Sequence, residues 1–390
     1  LTLDPNSTNY VAKVIGDQNQ TVQDDNGVKY IKLDGDYPNA SRFVRVKSVS
    51  TPTVDYLDEN GNVRVPDNSS SLPAVGSGSS HGGFSGGSDG HSGFDALGNH
   101  NGDSGVTATF YENIEENNSQ GLDPTAATDG EDAYKEALDL LANQDEFDIN
   151  LILMPGIIDG LHTAVAAKAI DVCEDRGDCF TILDPVAYGS TLTAATTRGE
   201  ARDSNFAAMY WPWVKVPDSQ LAGTQRWVPP SVVLGGVYAF NDRVAHPWFA
   251  PAGLNRGGIT TAIQAERKLT QNNRDSLYDS NVNPIATFPG QGVTVFGQKT
   301  LQKKSSALDR INVRRLLIRV KKFIASSSRF LVFEQNTAAT RRRFLGIVNP
   351  FLEQVQSQSG LSAFRVVMDE TNNTPDTIDR NQLIGQLFLQ

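Results

Sequence analysis

Apolar positions along this chain change rhythm from one segment to the next. Residues 1–66 alternate in short runs, "YIKL" and "FVRVKSV" among them, cut by Asp, Asn, Gly and Pro. A two-residue period between turn residues predicts a small β-rich region. From 67 to 105 the rhythm disappears: eleven glycines between Gly76 and Gly105 leave little to bury, which predicts a surface loop or linker. Beyond 106 it returns in longer units. "GVTATFYENI" predicts a strand, "EDAYKEALDLLAN" (131–143) a helix with Tyr134, Leu138 and Leu141 on one face, and "FDINLILMPG" a buried strand leaving through a turn at Pro155 and Gly156. "LHTAVAAKAIDVCED" and "CFTILDP" then predict a helix and another strand. Near-continuous apolar strands alternating with helices argue for parallel βαβ units.

The next segment, "FAAMYWPWVKV" (206–216), predicts a further strand, and "PPSVVLGGVYAFNDRV" (229–244) a helix opened by prolines. "IATFPGQGVTVFG" (285–297) predicts two short strands around a Pro-Gly turn. The most regular helix is 306–325, where Val313, Leu317, Val320 and Ile324 form an apolar stripe and Arg310, Arg314, Arg315, Lys321 and Lys322 fall elsewhere on the wheel. "RFLVFEQN" then predicts a strand, "TAATRRRFLGIVNPFLEQVQSQ" a helix interrupted at Pro350, and "AFRVVMD" and "QLIGQLFLQ" two strands around a "TNNT" turn. The fold class is therefore α/β and multidomain: a β-rich region over 1–66, the loop or linker over 67–105, an α/β domain over 106–297 and a second α/β unit over 298–390.

Charge sharpens that division. Residues 1–150 carry 25 acids against 8 bases, whereas residues 297–346 carry 13 bases against 2 acids, inside a chain of net charge −11. So divided a chain predicts one solvent-facing end and one end facing an acidic partner. The basic helix fits nucleic-acid phosphates or an acidic protein surface equally well. No apolar run reaches the ~18 residues of a spanning helix, and the first residues show no signal-peptide pattern. The chain does not start with Met, which fits an internal piece of a longer protein. Cys173 and Cys179, in "CEDRGDC", have neither the spacing of a redox CxxC pair nor a zinc set, and two free thiols are favoured over a loop disulfide.

The search for chemistry ends without a catalytic set. There is no GxSxG elbow, HExxH helix, phosphate loop or dinucleotide fingerprint. His81, His91 and His100 lie in the glycine-rich stretch, whose spacing preorganises no metal site. His162 opens an apolar helix, and His246 precedes a proline beside Trp248. Trp211, Trp213, Trp227 and Trp248 all fall within 38 residues, mixed with prolines. With Asp242, Arg243 and His246 they are expected to make a rigid, heavily packed joint rather than an aromatic cage. No cofactor and no metal are expected.

Eight blocks in order carry a resemblance: "FDINLILMPGIID", "FTILDP", "NFAAMYWPWVKV", "VPPSVVLGGVYAFNDR", "HPWFAPAGLNRGGI", "GVTVFGQKTL", "INVRRLLIRVKKFI" and "FLVFEQNT". From about 106 to 390 the chain resembles the tail sheath proteins of contractile-tailed bacteriophages, and its opening resembles the longer sheaths of T-even-like myoviruses. The resemblance implies a structural, non-enzymatic subunit of the virion tail, assembled in the host cytoplasm. Such subunits stack as hexameric rings around the tail tube, contact baseplate and tail terminator proteins, and contract to drive the tube through the host envelope. It implies a central subtilisin-like α/β domain without catalytic residues and a tube-facing C-terminal domain. No nucleic-acid partner and no membrane insertion follow from it. Candidate tube contacts are then Arg310, Arg314, Arg315, Lys321, Lys322, Arg341, Arg342 and Arg343. The sequence departs from the family at Gln335, often Pro, and at Arg341–Arg343, often aromatic. Family chains also carry an N-terminal arm and continue past "GQLFLQ", so this chain is expected to be trimmed, disordered at its ends or truncated, and to stay largely monomeric or form disordered oligomers. The alternatives are the sheath of a phage-derived injection system and, in a different class, a hydrolase with a site near His246.

Overall fold

Alternation in the first residues closes a hairpin. A short helix α1 (Val11–Ile15) precedes strands β1 (Asn19–Asp25) and β2 (Val28–Asp34), paired antiparallel with Asp25 opposite Val28. Asn26 and Gly27 both have positive φ, 55° and 89°, as a two-residue hairpin turn matching strand twist requires. The strand expected over 43–49 does not form. The Ser41 hydroxyl instead accepts the backbone N–H groups of Phe43 and Val44, both at 3.2 Å, which turns the chain. The computed structural model describes residues 1, 3–49, 114–119, 122–218 and 225–390, in two compact units. The hairpin belongs to one, and the elements from β3 onward belong to the other. The glycine-rich stretch with His81, His91 and His100, and most of the strand expected from 106, lie outside the described residues.

The second unit is built on the predicted βαβ repeats. Along the chain come α2 (Gly130–Leu141), of which the residues to Leu138 belong to this unit, then β3 (Leu151–Ile158), α3 (Thr163–Arg176), β4 (Phe180–Asp184), α4 (Leu192–Ala201) and β5 (Ala207–Trp211). Next are β6 (Val214–Pro217), β7 (Gln225–Val228), α5 (Pro230–Val244), β8 (Gln264–Ala265), α6 (Gln271–Asp279), β9 (Val282–Phe288) and β10 (Gly292–Val295). The main sheet has the order β10-β9-β5-β4-β3, parallel except for the β9–β10 hairpin. Both faces are covered. Ala207, Met209 and Trp211 point to a core with α3, α4 and α6, while Ala208 and Tyr210 point to a second core with α5. Period-two alternation between two apolar layers explains why these strands read as unbroken apolar runs.

Two expectations in this unit are corrected by proline. The strand predicted over 206–216 is two strands in two sheets, because Pro212 has no N–H for the ladder; β6 joins the separate sheet β7-β6-β8. Conversely, β3 runs through Pro155 and Gly156 rather than ending there. It is an edge strand whose register shifts between Leu153 and Ile158, so the missing N–H costs no ladder bond, and Gly156 takes φ 98° at the irregularity.

The last hundred residues hold α7 (Ile311–Ser328), α8 (Ala338–Ser357), β11 (Phe364–Val367), α9 (Pro375–Asp379) and β12 (Gln386–Leu389), with β11 and β12 paired antiparallel. "RFLVFEQN" is not a strand: Arg329–Leu331 form a 3₁₀ turn that continues α7, and Phe333 sits at φ 71°. α8 is not interrupted at Pro350. The carbonyl that this proline leaves without a donor belongs to Gly346, an exposed residue. A third core gathers Leu316, Val320, Phe344, Val348, Leu352 and Trp248. α7 also sends Ile311 and Ile318 into the core under α5. It is thus shared between two cores, and its apolar surface is wider than the predicted stripe.

Candidate functional site, a joint between two cores

α5 carries the joint, and its two ends are held differently. At the start, Ser231 donates its backbone N–H (3.0 Å) and its hydroxyl to the Asp184 carboxylate at the end of β4. Asp184 is fully buried, and burial pushes its carboxyl up to about 7 against the opposing pull of the Ser231 bonds. The folded protein therefore keeps a proton that the unfolded chain, with a carboxyl near 3.8, releases. The stability this contributes is full below about pH 4 and is lost as pH rises through about 7. Asp184→Asn keeps the shape, with the amide donating to Ser231 Oγ and accepting from its N–H. Urea midpoints at about pH 5 and pH 8 are expected to diverge in the native protein and to draw together in the variant; equal divergence in both would put the titration elsewhere.

At the far end Asn241, fully buried, donates to the carbonyls of His246 and Phe249, each at 3.1 Å, and so folds the following loop back. His246 stacks on Trp248 with ring centres 4.6 Å apart. The Trp248 indole N–H donates to Gln358 O (3.1 Å) just beyond α8, and Asn312 of α7 donates to Trp248 O (3.3 Å). Asp242 accepts from both terminal nitrogens of Arg315 of α7, Nη1 at 2.8 Å. The Arg315 guanidinium also lies 4.8 Å from the ring centre of Tyr238, whose hydroxyl shares a 2.7 Å hydrogen bond with Tyr210 of β5. One continuous path thus runs from the main sheet through α5 into α7 and α8. Arg243 stands apart from it, over Phe240 at 5.6 Å.

The tryptophans are not one cluster. Trp211 is buried beneath the main sheet, Trp213 donates to Val186 O (2.9 Å), and Trp227 packs on Tyr188 at 5.3 Å. The chain switches sheets between β5 and β6, so neighbours in sequence separate in space, and of the four only Trp248 touches the loop and helices of this joint. His162, the other described histidine, is spent on backbone. Its Nδ1 accepts from the Ile158 N–H (3.0 Å), which leaves Nε2–H to donate to Glu115 O (2.9 Å), and burial lowers its pKa.

The basic residues split into structural and exposed sets. Arg314, expected to face outward, is buried against Phe206 (3.8 Å), bonds Asn205, and is pushed down to about 10 by desolvation. Arg315 is held by Asp242, and Arg341 is buried with a bond to Asn336 at 3.1 Å. Arg314 and Arg315 are covered because α7 is packed on more than one face, whereas Arg341 opens the single buried stripe of α8 that continues through Phe344, Val348 and Leu352. Lys322 is half-buried, bonded to Asp148 and to Ile149 O (2.6 Å), and Arg310 bonds the Tyr278 hydroxyl at 2.8 Å. Lys321, Arg342 and Arg343 are exposed, as is Arg319, which the sequence reading passed over. Among the described residues no helix is long and apolar enough to cross a membrane.

Known proteins share this architecture. The family model for the phage tail sheath protein central domain matches residues 130–301, and that for the phage tail sheath C-terminal domain matches 303–387. The chain is 32% identical over 296 residues to the tail sheath protein of Enterobacteria phage T4, covering 70% of this chain and 44% of that one. It is 40% identical over 165 residues to the tail sheath protein of Vibrio phage KVP40, covering 42% and 25%. Against these curated relatives the chain spans less than half their length. Among solved structures it resembles the PVC sheath complex of an extracellular contractile injection system in its contracted state, with TM-score 0.54, 26% identity, and 62% of this chain and 67% of that one covered. The anti-feeding prophage helical sheath in its contracted state shows the same fold, with TM-score 0.54, 24% identity, and 65% and 70% covered. With both domain models matched in order from 130 to 387, the chain belongs to the phage tail sheath family.

Proposed function

We propose that this protein is a structural subunit of a contractile tail sheath, stacking as hexameric rings around a tail tube and contracting by rigid-body rearrangement that drives the tube through the host envelope. The observation that carries the reading is the joint. Asp242–Arg315 and the Trp248 contacts weld the main sheet to α7 and α8, so the body turns as one piece while its outer contacts change. The partners are further copies of the subunit, the tail tube, and the baseplate and tail terminator proteins; assembly takes place in the host cytoplasm. Trp211, Trp213 and Trp227 brace the switch between the two sheets, whereas Arg243 is exposed at the end of α5. The boundary between central and C-terminal domains falls near 298, with α7 docked on both. A parallel sheet with helices on both faces supports a subtilisin-like central domain, and the family supports a non-enzymatic role. Similarity to injection-system sheaths supports the same subunit in a phage-derived injection system. His246 is stacked on Trp248 inside the joint, a packing position, and a hydrolase there would lose turnover in His246→Ala.

Tube contact is assigned to the exposed cations Lys321, Arg342 and Arg343, with Arg310 at the margin. Exposed charge pairs act over roughly 8 Å at physiological salt, which suits a contact that must release when subunits move outward. The triple reversal Lys321→Glu, Arg342→Glu, Arg343→Glu is expected to leave monomer stability within about 0.5 kcal/mol and to abolish co-sedimentation with tube. Undiminished co-sedimentation would remove these residues from the contact. Negative-stain microscopy of the full-length protein tests the larger reading: tubes of fixed diameter support it, and their absence when tube and baseplate are supplied would overturn it.

A further inference from the structure

Neither the joint nor the cationic surface uses the two cysteines, whose thiols face each other inside the main-sheet unit. Cys173 lies in the last turn of α3 and Cys179 directly precedes β4; both are fully buried, both are free thiols, and their sulfurs are 3.4 Å apart. The turn between them is already held. Gly177 closes α3 in the left-handed region (φ 65°), donating to Cys173 O at 2.9 Å. Arg176 clamps Asp178 through Nε (2.8 Å) and Nη2 (3.0 Å), and reaches Phe147 O at 2.9 Å. Bringing the sulfurs to bonding distance therefore asks for side-chain rotation inside a fixed turn, with little backbone movement. The turn also abuts α7: Lys322 Nζ stands 3.9 Å from Asp178, and a methyl group at Gly177 would come within 2.8 Å of Lys321 Nζ.

We propose that Cys173 and Cys179 are a dithiol–disulfide pair, oxidised by a hydroperoxide to an intrachain bridge that locks the α3–β4 turn beneath α7. This stands independently of the sheath reading. The Cys179 thiolate attacks hydrogen peroxide, the O–O bond breaks, and Cys179 becomes a sulfenic acid with release of hydroxide. The Cys173 sulfur then attacks the Cys179 sulfur and expels the second hydroxide, while the Cys173 proton and one solvent proton complete two waters. Two thiols are oxidised and one peroxide is reduced. The asymmetry of roles follows the surroundings. Pairing with Cys173 and the Arg176 charge pull the Cys179 thiol below its ordinary value, whereas that same pairing and burial push Cys173 up. A small oxidant suits a buried pair, and metal chemistry is not indicated, since among the described residues no three His, Cys, Asp or Glu side chains gather as ligands.

The test treats the purified full chain with hydrogen peroxide and counts thiols in denaturant alongside intact mass. The expected result is loss of both thiols, a mass lower by two hydrogens, reversal by a reductant, a monomeric band on a non-reducing gel, and a melting temperature higher by roughly a few degrees. Cys173→Ser supplies a second arm: Cys179 alone is expected to stop at the sulfenic acid, captured by a dione reagent. Persistence of both thiols, gain of oxygen without loss of hydrogen, or a bridge between chains would each overturn the proposal.

Discussion

Trp248→Ala is expected to cost about 3–5 kcal/mol, the range for removing a large aromatic side chain from a packed core. Trp248 is only 9% exposed and lies with Leu316, Val320 and Phe344 in the C-terminal core, while its backbone and ring are tied to α7, to Gln358 and to His246. The truncation removes all the ring contacts at once and leaves Gln358 O without its donor. Because Trp248 comes from the loop after α5 but packs among α7 and α8, the loss also uncouples two cores. Urea unfolding followed by far-ultraviolet circular dichroism is expected to change from one transition to two, the C-terminal part melting first. Trp248→Phe keeps the stacking and gives up the N–H, so about 1 kcal/mol is expected there. A single, unshifted transition in the alanine variant would show that the cores are coupled by something other than this loop.

How much of this was legible in the sequence depends on the kind of signal. Strands buried on both faces, such as β4 and β5, announce themselves as apolar runs, and α5 announces itself through prolines at its start. Helices with little to bury do not. α4 has two buried positions, Ala195 and Gly199, and is a helix because Thr191 caps it and Gly199 lets it pass close to Ser280 O; neither feature has a period. α6 buries Leu277 alone. The joint was visible only as composition. Aromatic and proline density marked 211–251 as rigid, yet which tryptophan meets which helix depends on the sheet switch after Trp211, a long-range fact. The cations show the same limit. A wheel drawn for one buried stripe sends Arg314 and Arg315 to solvent, whereas a helix shared by two cores needs partners for them, and Asp242, 73 residues earlier, is such a partner. That pairing leaves a faint trace, an acid at the end of one helix and a base near the start of another, which sequence spacing alone does not connect.

That ion pair carries the second large effect. Asp242→Ala leaves the Arg315 guanidinium, whose side chain is 7% exposed, without its counter-charge against Tyr238. Removing one partner of a buried pair costs about 3–5 kcal/mol. Asp242 itself is 35% exposed, so water reaches its side of the pair and the expected loss falls below that range, at about 2–3 kcal/mol. Arg315→Met removes the charge and keeps much of the stem, and in the background of Asp242→Leu it is expected to recover most of the loss, because two apolar groups make no demand on each other. A double-mutant cycle is therefore expected to give a coupling of about 2 kcal/mol between the two positions. Salt separates this pair from the outer cations. Raising ionic strength to about 1 M shortens screening to ~3 Å, which weakens contacts made by exposed Lys321, Arg342 and Arg343 but leaves the direct Asp242–Arg315 hydrogen bonds largely intact. The body is thus expected to release the tube proposed as its partner in salt without coming apart at the joint, and a coupling energy that fell with salt in step with that release would show the two to be the same interaction.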